Sequence, residues 1–195
     1  MAVMKVAEFI DKLKLAANTP TVYAKGGFGQ WMTKGFLASM KTLYKDWYTR
    51  NESMLLNHLG SASFDCVCLI KGILWGWDAD KNSYSGGAVY GSNGVPDITT
   101  ETMIQMCNGI STDFSKVEVG ELLHMKGHVG IYIGDGKAIE SNYTSDENGV
   151  TIIPMSKRKW TSHGFLPWVD YTKEETIQTL KLHIRDNKVI KVDIE

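Results

Sequence analysis

An α+β domain, with N-terminal helices packed on a central antiparallel β-sheet, is predicted by three features of the sequence. The first half carries apolar residues at helical spacing. A nearly all-apolar run, Phe64 to Trp77, follows a helix-capping residue, Asp65. Beyond about residue 120 the hydrophobic period shortens to that of strands. The chain has 195 residues, 43% hydrophobic and 22% charged, which suits one main domain with a core large enough to hold an active site.

Residues 4 to 17 place Val6, Phe9, Ile10, Leu13 and Ala17 on one helical face, and Asn18 and Pro20 stop the helix. The segment Lys25-Gly26-Gly27-Phe28-Gly29-Gln30 lacks the Gly-Lys-Ser/Thr ending of a phosphate loop and is read as a place of close backbone approach. Thr33 to Leu59, rich in aromatics, reads as two short helices over a cleft, ending at Gly60-Ser61-Ala62-Ser63. A buried helix from 64 to 77, a turn-rich loop from Asp78 to Pro96 and a short helix from Thr99 to Asn108 follow. Strand segments are expected at 121–124, 128–133, 137–142 and 150–153, forming a meander. Thr179 to Glu195 alternates on either side of Asp186-Asn187 and reads as an appended hairpin, after a junction within 171–175. The domain is set at 1–171, with a helical insertion at about 31–60, and the extension at 172–195. Covering a sheet edge is the first use expected of that hairpin; wall recognition and self-association are the others.

A net charge of −1 with no long basic run gives no footprint for nucleic acid or an anionic membrane surface. The charges at Lys5, Glu8, Asp11, Lys12 and Lys14 leave no apolar stretch long enough for a signal peptide or membrane span, so synthesis in the cytoplasm is expected. Cys66, Cys68 and Cys107 are expected as free thiols. No Cys-x-x-Cys or HExxH occurs, so neither a metal nor any other cofactor is expected.

A cysteine becomes a nucleophile when its thiolate is stabilised, and unpaired amides at a helix N-terminus do this. Cys66 stands at that position. Cys68 lies roughly 200° further round, at about 100° per residue, so the two thiols cannot face one pocket. A base and an orienting group are also required. With a three-residue loop at Gly134-Asp135-Gly136, His128 lies opposite Asn142 and Gly130 opposite Glu140, all on one face. With a two-residue loop at Asp135-Gly136, Glu140 falls on the other face. Under the longer loop, Val129, Ile131, Ile133 and Ile139 turn to a core.

These segments resemble the NlpC-type cell-wall peptidases and the related CHAP amidases and peptidases, over roughly Leu15 to Tyr171. Asp65-Cys66 before an apolar helix is similar to the family's Asp-Cys-Ser-Gly-Leu motif, and Gly120-Glu121-Leu122 with His128-Val129-Gly130-Ile131-Tyr132 to its Gly-Asp-Leu and His-Val-Gly-Ile-Tyr segments. Asn18 to Tyr23 with Gly26-Gly27 resembles the Thr-Pro-Tyr-x-Trp-Gly-Gly region. Gly164-Phe165-Leu166-Pro167-Trp168 resembles closing segments of phage lysins. The resemblance implies Cys66 as nucleophile, His128 as base and Glu140 as the orienting third residue, where NlpC peptidases more often carry His; Glu140 followed by Asn142 is closer to CHAP domains. Val67 and Cys68 replace the usual Ser-Gly. It further implies peptidoglycan as substrate and release to the cell wall in the manner of a phage or prophage endolysin. Expected substrate contacts are Tyr23, which would add a hydroxyl at the oxyanion, Asp65, Asn142 and, among aromatic wall candidates, Trp31; Trp75 and Trp77 fit the core better.

Overall fold

The computed structural model describes residues 3–144, 148–172, 180–185 and 188–194, the last two ranges by backbone alone. Strand β1 (Met4–Lys5) leads into helix α1 (Val6–Asn18), which buries Phe9, Ile10, Leu13 and Ala16, the stripe its spacing predicts. Strand β2 (Thr21–Tyr23) precedes the Gly-rich segment, and β3 (Phe28–Trp31) takes up its second half. The insertion is two helices, α2 (Lys34–Leu43) and α3 (Lys45–Leu56), the first capped by Thr33. Their Phe36, Leu37, Met40, Tyr48 and Leu55 form a separate cluster with Val22, Ala24 and Met32, which fixes the insertion against β2 and β3.

Strand β4 (Ala62–Phe64) pairs parallel with β2 and antiparallel with β3, and delivers the chain to α4 (Cys66–Leu74). Asp65 is the N-cap of α4, its side chain accepting from the Cys68 amide at 2.7 Å. Leu69, Ile70, Ile73 and Leu74 of α4 are buried in the main core with Phe9 and Leu13 of α1. Each fully buried Leu, Ile or Phe side chain contributes about 1.5–3 kcal/mol, so this helix is held by its apolar surface. Trp75 and Trp77 are core residues, their indole N–H groups donated to the carbonyls of Val95 (2.8 Å) and Gly29 (3.2 Å).

After α5 (Thr100–Met106) come β5 (Asn108–Ser111), β6 (Leu122–Met125), β7 (His128–Gly134), β8 (Lys137–Tyr143), β9 (Asn148–Pro154) and β10 (Ser162–Phe165). They form one antiparallel sheet in the order β5-β10-β6-β7-β8-β9. The meander expected from sequence is its β6–β9 part; β5 and β10 extend it. Val129, Ile131 and Ile139 face the core that holds α4, with Ile133 partly buried against it. Leu123, Ala138 and Ile153 form a smaller cluster, with Trp160 packed on it. Strand β11 (Val169–Asp170) pairs parallel with β1. Strands β12 (Leu180–Arg185) and β13 (Lys188–Ile194) pair with each other, as a two-stranded sheet separate from the six-stranded one. They therefore add no strand to either edge of that sheet. Asp186-Asn187 and 173–175 of the expected junction lie outside the described residues. No helix among the described residues is long and apolar enough to cross a membrane.

Helix α4 approaches β3 closely at Gly72, where an added Cβ would sit 2.4 Å from the Phe28 carbonyl oxygen. In an open helix Gly→Ala stabilises by about 0.5–1 kcal/mol. Here overpacking reverses the sign, and Gly72→Ala is expected to lower stability by about 1–3 kcal/mol in urea unfolding. A variant more stable than the parent would contradict this packing.

Candidate active site

Two tight turns place the chemical groups. Lys126 and Gly127 turn β6 into β7, with Met125 paired to His128 and Gly127 at φ +75°, so His128 begins its strand. The Gly127 amide donates to Glu101 Oε1 at 2.8 Å, which ties this turn to α5.

The β7–β8 connection resolves the register question in a way neither sequence alternative describes. Gly134 pairs with Lys137 across a two-residue turn, Asp135-Gly136, both residues having positive φ (52° and 67°). An irregularity between Tyr132 and Gly134 then shifts the register, so that Tyr132 pairs with Ala138 and Ile131 with Ile139. The bulge restores the register of the longer loop. Glu140 therefore shares a face with His128, and its carboxylate Oε2 lies 2.8 Å from His128 Nε2.

Glu140 is fully buried. Its Oε1 accepts from Arg158 Nε at 3.0 Å and also from Nη2, and Oε2 lies 3.2 Å from the same Nε. Burial alone would raise the carboxyl pKa, but the hydrogen bonds from His128 and Arg158, with their charges, hold it below the usual carboxylate value. The His128 imidazole stacks on Trp160 at 15° between planes and 5.7 Å between centroids.

Cys66 opens α4 and is 7% exposed. Its Sγ lies 4.0 Å from the Gly127 carbonyl oxygen. The amides of Val129, Val67 and Cys66 lie near enough to favour its ionised form, and the Tyr23 hydroxyl is close by. The thiol thus sits against the backbone on both sides of His128. Among the described residues its hydrogen bond goes to that backbone, while the imidazole Nε2 is held by Glu140. Burial, reinforced by the Asp65 carboxylate, pushes the thiol up to about 12, outweighing the amides. At neutral pH the sulfur therefore carries its proton, although it stands at the helix terminus. Burial and the neighbouring sulfur and carboxylate likewise raise the Tyr23 hydroxyl, which remains a donor.

Asp65 uses one oxygen as the α4 cap and the other to accept from the Gly26 amide at 2.8 Å. Asn142 is buried on β8, paired with Gly149. Trp31 is not brought into the site, contrary to expectation: it is 8% exposed, donates its indole N–H to the Asp80 carbonyl at 3.0 Å and lies under Lys81. Its place in the core stabilises the Asp78–Gly86 loop.

Cys68 faces a different space, a cavity of about 640 Å³ lined also by Asp65, Val67, Phe28, Lys71, Trp75, Tyr90 and Asp97. Lys71 pairs there with Asp97, which also accepts from the Tyr90 hydroxyl at 2.6 Å, and Phe28, Trp75 and Tyr90 pack ring to ring. Cys66 and His128 do not line it. Arg158, Trp160 and Glu101 escaped the sequence reading. A buried carboxylate demands a cation, and Lys157-Arg158-Lys159 before Trp160 was the available signal.

A cysteine at a helix N-terminus, set against an antiparallel sheet that carries a histidine and its carboxylate, is the arrangement of the papain-like class of thiol hydrolases. Within that class, residues 57–169 match the NlpC/P60 family, and this protein belongs to that family. No curated protein matches it. Among solved structures it is similar to the peptidoglycan hydrolase RipB from Mycobacterium tuberculosis, with 15% identity, a TM-score of 0.48, and coverage of 85% of this chain and 65% of that one. The chain thus spans just under two thirds of RipB's length.

The thiols make stability depend on alkaline pH. Burial raises Cys66 and Cys107 to about 12 and Cys68 well above its ordinary value of 9.0. Between about pH 9 and 12 the folded chain therefore holds more protons than the unfolded chain, and stability falls as pH rises, by up to about 1.4 kcal/mol per unit for each thiol. Urea midpoints are expected to be clearly lower at pH 10.5 than at pH 8; equal midpoints would contradict the burial of these groups.

Proposed function

We propose that this protein hydrolyses an amide bond in the peptide part of bacterial peptidoglycan, as an endopeptidase or an amidase, through Cys66, His128 and Glu140. One observation carries this reading: the thiol lies against the backbone flanking His128, whose Nε2 is committed to buried Glu140. That bond leaves Nδ1 as the nitrogen that serves as base.

Because the resting thiol is protonated, attack is coupled to proton transfer. His128 takes the Sγ proton as sulfur bonds to the amide carbon, and Glu140 offsets the imidazolium charge. The oxyanion is received by amides at the start of α4 and by the Tyr23 hydroxyl. His128 then protonates the leaving amine, and water, deprotonated by the same ring, opens the thioester to release the acid and restore the thiol.

The cavity beside Cys68, with its aromatic wall and its Lys71–Asp97 pair, would hold the peptide flanking the cut. Asp65, which lines that cavity, acts by shaping it. The likeness of Gly164 to Trp168 to the closing segments of phage lysins supports an endolysin of a phage or prophage, acting on the wall after release.

Cys66→Ser and His128→Ala are each expected to reduce clearing of purified peptidoglycan by on the order of 10³-fold or more, whereas Cys68→Ser stays largely active. Mass spectrometry of the released fragments should show one new amino group per cut. Full clearing by the Cys66 variant would overturn the assignment.

A further inference from the structure

Glu140 has no solvent contact, and one hydrogen bond from a neutral ring does not keep a carboxylate ionised in such a place. Arg158 supplies the remainder, reaching both oxygens with its Nε and a second contact to Oε1 with Nη2. The guanidinium belongs to the connection between β9 and β10. Two residues further along that connection is Trp160, stacked on the His128 ring and anchored by its indole N–H to the Met155 carbonyl at 3.0 Å. One short strap thus grips both the acid and the ring of the base. Other titratable groups bordering the site are Cys66 and Asp65 on α4, Tyr23 on β2, Glu101 on α5 and His124 on β6; among the described residues none of these bonds Glu140.

We propose that Arg158 is a positioning residue of the active site: by holding both Glu140 oxygens it fixes the acceptor that orients His128 and limits the negative charge the imidazole feels. This rests on the Cys66–His128–Glu140 reading. An ionised Glu140 alone beside His128 would bind a proton strongly, on the ring or on the carboxylate itself. Either way the working form, ionised Glu140 with neutral His128, would form only at higher pH. A guanidinium on the far edge of the carboxylate lets it accept the Nε2 proton while the ring stays free to act as base. Lysine cannot reproduce the planar fork that reaches two oxygens.

The test is the pH dependence of peptidoglycan clearing for the parent, Arg158→Met, Arg158→Lys, Glu140→Gln and the Met/Gln double variant, with Cys66→Ser as control. Arg158→Met is expected to lose about a hundredfold in kcat/KM, and its acidic limb to move up by about one pH unit, with Arg158→Lys between it and the parent. On the Glu140→Gln background, Arg158→Met should add almost nothing. NMR titration of the His128 ring should follow the same upward shift without turnover. A merely structural arginine would lower the folded fraction and leave the limb in place. An unmoved limb, or equal losses on both backgrounds, overturns the proposal; if Arg158→Met does not fold, Arg158→Lys with a parental limb does so. Clearing by Cys66→Ser would instead sink the triad itself, so the two failures are distinguishable.

Discussion

Between Tyr132 and Gly134 the pairing of β7 with β8 slips by one residue, and the geometry of the site depends on that slip. Side chains in a strand alternate with a period of two, so one residue of register decides which face a whole strand presents. The tight Asp135-Gly136 turn by itself would carry Glu140 away from His128. The bulge carries it back and keeps Val129, Ile131 and Ile139 turned to the core under α4. Core packing and site assembly thus require the same register, and the aliphatic burial that stabilises the sheet also holds Glu140 against the imidazole.

Bringing Glu140 to that position creates a second requirement, since a fully buried carboxylate is stable only when its charge is met. His128 and Arg158 meet it from either side, and the connection that carries Arg158 also lays Trp160 on the imidazole. On the opposite flank Asp65 plays a similar double role. One oxygen caps α4 and the other holds the Gly26 amide, so a single carboxylate links the start of the helix bearing Cys66 to the glycine-rich loop before β3.

Burial also sets the chemistry of Cys66. The amides around its sulfur would favour a thiolate, yet desolvation and the Asp65 charge leave the proton in place. A buried thiol of this kind resists adventitious oxidation and alkylation. Cys68, two residues on, opens to a separate aromatic cavity, as the angular step along a helix requires.

The amino-acid sequence by itself determined the helices and strands with strong periodicity, the Asp65 cap and the core places of Trp75 and Trp77, and it offered Cys66, His128 and Glu140 as candidate site residues. Each is written within about ten consecutive residues, in spacing, caps and turn residues. It left two hairpin registers open, put Trp31 in the cleft and passed over Arg158. Only the tertiary structure decided these matters. A bulge leaves the composition of a strand unchanged, an indole is core or cleft according to what packs on it, and the cation for a buried carboxylate is found by the path of the chain. The thiol's protonation was decided at the same level, because desolvation depends on everything that surrounds the sulfur.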